Sequence, residues 1–331
     1  MAGSPKKHKP QSYTVTDFLD EFPDDESCLV WLWRHLLSPD GSHAHCPKCD
    51  RERRFHRVKS RQSWSCDTCG HHLHPTAGTI FEKTTTPLRL WFHGIFLLSQ
   101  TRCGISAKQL QRELGVTYKT AWRMFNLIRR LLVDDDRTPL MGEVEIDESA
   151  WGGKIRAGDR SRAETSTKRR QEAMAKIKNR PTIFAMVERG GRVRAVVVPD
   201  RSRETLHRVI RENVSPDAII YTDEWALYDG LSRDFAGHFK IKHQDARYAD
   251  GPIHTQTVEG FFGNVKRGLS GVQHNVSRKW LENYVNEFAF KYSHRDDRVP
   301  MFKLFLRNIK KNADGDGPSA SSSPARPALG V

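Results

Sequence analysis

Two Cys-x-x-Cys pairs, Cys46/Cys49 and Cys66/Cys69, constrain this chain more than any other feature. Sixteen residues separate them, and knuckles at that distance can put four thiolates at the corners of a tetrahedron, as a closed structural zinc site requires. The intervening arginines, and Trp64 just before the second knuckle, fit a small β-rich ribbon over residues 44–86. The competing reading is a pair of redox or incidental motifs. His71, His72 and His74 follow directly, but four cysteines already complete one Zn²⁺ site. So short a module has little core of its own, and metal would supply much of its folding free energy. Cys28, in an apolar stretch, and Cys103, before a glycine, read as packing residues. The N-terminus MAGSPKKHKP lacks the apolar core of a signal peptide, so cysteine usage points to a reducing, cytoplasmic setting.

Around the ribbon the chain reads as a series of modules. Residues 1–16 form a basic arm expected to be disordered, and residues 17–43 a helical segment starting near Pro23–Asp24 with acids in its first turn. Residues 87–137 are helical, with Pro87 at the start. Ala107, Leu110 and Leu114 share one face; Gly115 interrupts; Ala121, Phe125, Ile128 and Leu132 resume the pattern. Two short helices meeting at a glycine, the second carrying Tyr118, Lys119, Arg123, Arg129 and Arg130, match a helix-turn-helix with a basic recognition helix. A plain helical hairpin is the alternative. Lys119 and Arg123 are the candidate DNA contacts. Lys and Arg outnumber Asp and Glu by 54 to 40, a formal charge of +14 that favours a polyanionic partner. Nucleic acid ranks ahead of an anionic membrane, since no basic amphipathic stretch stands out and no apolar run is long enough to span a bilayer.

Beyond Pro139 the pattern changes to strands. GEVEIDESAW, a hairpin around Gly190–Gly191, a helix from Ser202 to Asn213, and the strand AIIYTDEW precede further helices. Residues 138–311 are thus expected to form an α/β domain with a mixed central sheet, making the whole a multidomain α+β protein. Within it, residues 154–180 carry ten Lys/Arg against three acids and almost no large apolar residue. This is either a solvated mobile loop or a phosphate-backbone clamp, with Lys168, Arg169 and Arg170 at its centre. Residues 312–331 read as a disordered tail.

Asp147 is placed near the end of one short strand and Asp223 at the end of another, 76 residues later. Glu259 follows after a further 36, in a stretch of helical character, with Lys266 seven residues on and so on nearly the same face. Two strand-end aspartates and a helical glutamate can converge on a pair of divalent cations, Mg²⁺ or Mn²⁺ by ligand hardness. Lys266 and Arg267 form a basic end suited to phosphate. The acidic neighbours Glu148 and Glu224 point to the opposite strand face, and the aspartates are preferred to them and to nearby Glu145. An exposed polar face with unrelated charges is the plain alternative.

EVEIDESAWGGK, AIIYTDEWALY and HTQTVEGFFGNVKRGLSGVQHNVSRKWLENYVNEFAF resemble the three catalytic blocks of bacterial insertion-sequence DDE transposases. The group resembled is the one that carries an N-terminal zinc ribbon and is related to the eukaryotic Merlin elements. The segment from CPKC to TTTPLRLWF resembles its ribbon, the module order is the same, and the similarity runs from about Phe18 to Leu306. The resemblance implies an RNase H-like (retroviral-integrase-like) catalytic domain in which Asp147, Asp223 and Glu259 are the metal-binding triad and Lys266 the residue that follows it. Members often read His-x-Asn where this chain has His254-Thr255-Gln256, which leaves Gln256 as an alternative third position. The resemblance further implies a bacterial cytoplasmic or nucleoid enzyme acting on double-stranded DNA. It would cleave at terminal inverted repeats and transfer the freed 3′-hydroxyl into target DNA as a homodimer or larger assembly. A structure-selective nuclease of the same fold and a domesticated DNA-binding regulator are the rival expectations.

Overall fold

The computed structural model describes residues 12–134, 136–152, 180–241, 254–274 and 276–310. The expected basic arm up to residue 11, most of the 154–180 loop and the 312–331 tail lie outside these residues. The described residues divide into two units, one of residues 12–97, 111–131 and 302–310, the other of 98–110 and 132–301.

The first unit opens with α1 (Val15–Glu21), whose N-terminus is closed by a reciprocal cap: the Asp17 amide donates to the Thr14 hydroxyl and the Thr14 amide to the Asp17 carboxylate. The Tyr13 ring packs 4.9 Å from that of Phe302. Residues 12–16, expected in a disordered arm, are therefore ordered by a cap and an aromatic contact. Asp24 caps α2 (Asp25–Leu36), which begins where the acidic first turn placed it. Leu29, Leu32 and Trp33 on that helix are buried. Four antiparallel strands follow in sequential order: β1 (His43–Cys46), β2 (Arg51–Val58), β3 (Ser63–Cys66) and β4 (His72–Leu73). Phe55 is the buried anchor of β2, and Trp64 of β3 stacks on Trp33 with centroids 4.5 Å apart.

Next come α3 (Leu88–Ser99), α4 (Ala107–Leu114) and α5 (Tyr118–Arg130). Gly115 ends α4 at φ +65, a conformation that favours glycine, and the Thr117 hydroxyl caps α5. The buried residues are the ones the helical period selected, Ala107, Leu110 and Leu114, then Ala121, Phe125, Ile128 and Leu132.

The second unit is built on a mixed sheet of β5 (Glu143–Ala150), β6 (Thr182–Glu188), β7 (Val193–Val198), β8 (Ile219–Asp223) and β9 (Gly237–Ile241), ordered β7-β6-β5-β8-β9. β5, β6 and β7 form an antiparallel meander; β8 and β9 run parallel to β5. The β6–β7 hairpin turns at Gly190, φ +71. Between β7 and β8 lies α6 (Arg203–Asn213), whose Leu206, Val209 and Ile210 join Val144, Ile146, Phe184, Met186 and Ile220 in one apolar cluster. Then follow α7 (Gln256–Arg267), which packs on β5 and β6, and α8 (Arg278–Ser293), which packs on β7.

Two boundaries differ from expectation. The last helix, α9 (Met301–Arg307), begins the return to the first unit: Phe302 meets Phe18 and Phe22, and Lys303 pairs with Glu21. The expected 138–311 domain therefore ends near residue 301. Asp147 lies inside β5, which continues to Ala150, and not at its end. Among the described residues no helix is long and apolar enough to cross a membrane.

Candidate active site

β5 and β8 are parallel neighbours with Glu145 opposite Tyr221. Two residues further along each strand stand Asp147 and Asp223, so the pleat sets both carboxylates side by side on one face of the sheet. The Asp147 carboxylate accepts the Glu148 amide at 2.8 Å, and Asp223 accepts that of Trp225 at 3.0 Å. Glu259 stands in the first turn of α7, where its carboxylate accepts the Thr255 hydroxyl at 3.3 Å. Lys266 and Arg267 are exposed in the last turn, and Arg267 donates to Asn264 at 2.6 Å.

Electrostatics tie these groups together. Burial, the largest influence, pushes the Asp147 carboxyl up to about 6; the charges of Asp223 and Glu259 push the same way, while the Glu148 amide and Lys266 pull it down. Asp147 thus feels all three of the other expected site residues. Among the described residues only the four cysteines form a group of three or more metal-capable side chains with donor atoms all within 4.8 Å of one another. Asp147, Asp223 and Glu259 do not form such a group.

The neighbours behave as strand alternation requires. Glu148 points to the other face, where buried Tyr228 donates its hydroxyl to it. There burial, opposed by that hydrogen bond, raises the carboxyl to about 7 with help from Asp147 and Asp223. Glu224 is exposed. Glu145, on the same face as Asp147 and fully buried, is the polar residue that sequence reasoning set aside. It receives Arg189 Nε at 2.7 Å, the Thr257 amide at 2.7 Å and hydroxyl at 2.9 Å, and the Val258 amide at 3.0 Å; His254 Nδ1 lies 3.1 Å away. The spacing Glu-x-Asp on a strand was the available signal, since residues two apart share a face. Gln256 is exposed as the first residue of α7.

In the first unit, Cys46 and Cys66 end β1 and β3, and Cys49 and Cys69 follow in the turns. All four sulfurs lie within 4.8 Å of one another, a cluster compatible with a zinc ribbon. The Cys46 and Cys69 sulfurs lie 3.6 Å apart, and this contact holds the Cys46 thiol below its ordinary range while pushing the Cys69 thiol above it.

Of the basic residues, Lys119, Arg123 and Arg130 are exposed on α5. Their spacing of four and seven residues places them on one side of the helix. Arg129, named among the basic residues of the expected recognition helix, is buried, its guanidinium 3.3 Å from the centroid of the Phe125 ring. Lys168, Arg169 and Arg170 lie outside the described residues.

Residues 139–293 match the family model described as ISXO2-like transposase domain. The chain is 29% identical over 255 residues, 75% of its own length and 84% of the relative's, to an uncharacterized protein in transposable element ISH50 of Halobacterium salinarum. Over 105 residues, 32% of this chain and 84% of the relative, it is 30% identical to an uncharacterized transposase-like protein of Haemophilus influenzae.

Proposed function

The chain belongs to the ISXO2-like transposases of insertion sequences, and from that premise we propose that it cuts DNA at transposon ends and joins the freed 3′-hydroxyl to target DNA. The observation that carries this reading is the pairing of Asp147 and Asp223 on adjacent parallel strands, with Glu259 brought in on α7. An antiparallel meander followed by parallel strands, with one aspartate on the first strand and one on the fourth, also supports an RNase H-like catalytic domain.

The donor set fits Mg²⁺ or Mn²⁺: all three candidate ligands are hard carboxylate oxygens, and Asp147 feels the charges of both Asp223 and Glu259. Asp147, Asp223 and Glu259 would hold two such ions. When bound, the ions activate the attacking oxygen and stabilise the leaving oxygen of an in-line phosphoryl displacement. In the first step a water oxygen bonds to phosphorus and the 3′-oxygen leaves as a hydroxyl. In the second, that 3′-oxygen bonds to a target phosphorus and the target's own 3′-oxygen leaves. Lys266 and Arg267, two turns beyond Glu259, offer cations to the phosphates on either side.

Recognition of the ends falls to the ribbon and the helices that follow it. α4 and α5 read as a helix-turn-helix, with Lys119 and Arg123 facing the groove, and Zn²⁺ on Cys46, Cys49, Cys66 and Cys69 holds the ribbon in shape. Lys168, Arg169 and Arg170 add charge to a DNA clamp. Two transposon ends must be processed together, so the working form is a homodimer or larger assembly on DNA in the bacterial cytoplasm.

A strand-transfer assay tests the reading, using full-length protein, Mg²⁺, and duplex ends taken from inverted repeats that flank the gene, one set already cut. Joined products that vanish with Asp147→Asn or Asp223→Asn are the expected result. Cleavage without joining would indicate a nuclease instead. DNA binding unaffected by either substitution, with no cleavage at all, would leave a regulator.

A further inference from the structure

We infer that Glu145 is a positioning residue for the carboxylate site, holding the helix that carries Glu259 in fixed relation to the strand that carries Asp147. The inference rests on the metal-site reading above.

Thr255 stands at the N-cap of α7, yet its side chain caps nothing. Its hydroxyl is directed instead at the Glu259 carboxylate, 3.3 Å away. The amides of the first turn, which ordinarily take such a cap, are those of Thr257 and Val258, and both donate to Glu145 on β5. The helix is thus capped by a strand, and its own capping hydroxyl is free to orient the glutamate. Glu145 lies two residues before Asp147 on the same face. The pleat of β5 and one helical turn of α7 therefore fix the separation between the Asp147 and Glu259 backbones.

Arg189, at the end of β6, extends the arrangement to the third carboxylate. Its Nε donates to Glu145, its Nη2 donates to the His254 carbonyl at 2.9 Å, and its Cζ lies 4.1 Å from the ring centroid of Tyr221. Tyr221 is the register partner of Glu145 and stands two residues before Asp223. One guanidinium therefore touches the strand of Asp147, the strand of Asp223 and the lead-in to α7. A fully buried carboxylate is costly unless its oxygens are saturated by such donors, so a role limited to core packing would be served better by an apolar side chain.

The test is a double-substitution cycle on full-length, zinc-loaded protein, with Mn²⁺ affinity read by electron paramagnetic resonance and folding checked by thermal unfolding. Glu145→Gln is expected to weaken Mn²⁺ binding about tenfold, the usual effect of losing a group that orients metal ligands. In a Glu259→Gln background the same change should cost less than about twofold, because the group being positioned is already gone. Equal losses in both backgrounds, or no loss with Glu259 present, would overturn the inference. Should Glu145→Gln not fold, Thr257→Val takes its place in the cycle; it removes a single hydrogen bond and is expected to cost about threefold, judged by the same comparison. Mn²⁺ binding that is indifferent to Glu259→Gln itself would overturn the carboxylate site, and with it the basis of the inference.

Discussion

Asp147 keeps a carboxylate where its charge is expensive. Folding raises its pKa from the ordinary 3.8 to about 6, by burial first and by the charges of Asp223 and Glu259 besides. A carboxyl whose folded pKa exceeds its unfolded one favours the fold below the unfolded value, and that margin is lost as pH rises through the folded value. In magnesium-free buffer Asp147→Asn is therefore expected to be more stable than the parent at pH 7.5, by about 1–2 kcal/mol after allowance for partial exposure, with the difference fading towards pH 4. Thermal unfolding across that range checks it; an Asn variant that melts lower at pH 7.5 would show that the site does not strain its own carboxylates. The same substitution should abolish DNA cleavage. Asp147, Asp223, Glu259 and Lys266 were singled out by the resemblance more than by position, and Asp147 lies inside its strand where a place near the end was expected. Glu145 was only half legible: alternation shows which face a residue takes but not which helix end will arrive there. Arg129, one of the basic residues of α5, is buried because it stands four residues after buried Phe125, on the same helix face.

Helix faces were legible because their periods are local. α5 buries Ala121, Phe125 and Ile128 and leaves Lys119 and Arg123 outside, as the period of 3.6 requires. Lys119→Ala and Arg123→Ala are each expected to reduce the slope of log affinity against log salt by about 1, if each side chain neutralises one phosphate. Arg129→Ala should leave that slope unchanged and lower the thermal midpoint instead. Fluorescence anisotropy with a labelled transposon end, repeated over a series of salt concentrations, separates the two behaviours. The join between α7 and α8 was not legible. α7 continues into a wider turn at Gly268, where an added Cβ would sit 2.2 Å from the Phe288 ring and 2.9 Å from the Cys103 carbonyl. Gly268 has ordinary helical φ, so what matters is the missing side chain and not backbone freedom. Gly268→Ala gains up to about 1 kcal/mol of helix propensity but is expected to lose about 1–3 kcal/mol by overpacking. Urea unfolding should show a net loss; a stabilised variant would mean that α8 can yield at Phe288.

Module order along the whole chain followed from motifs and shifts in composition, but the closing of the first unit by residues 302–310 did not. Phe302 packs against Phe18, and the Asn308 amide donates to the Leu131 carbonyl at 2.9 Å, pairings between residues far apart in the chain that no local pattern announces. The ribbon within that unit makes the strongest demand on an external group. Its strands span only 4, 8, 4 and 2 residues, and the buried apolar side chains on them are few: Ala44, Phe55 and Trp64 apart from the cysteines. Burial on that scale does not offset the entropy of ordering four strands, so the cross-link between the two knuckles has to contribute. If Zn²⁺ on the four thiolates is that cross-link, a chelator that strips one zinc per chain should open the ribbon and separate Trp64 from Trp33, now stacked at an interplanar angle of 3°. The expected signs are a change in tryptophan fluorescence and loss of amide protection in β1–β4, with protection in β5–β8 retained. Cys66→Ser should reproduce both changes without chelator. A ribbon that keeps its tryptophan signal and its protected amides after every equivalent of zinc has left would refute the metal's structural role.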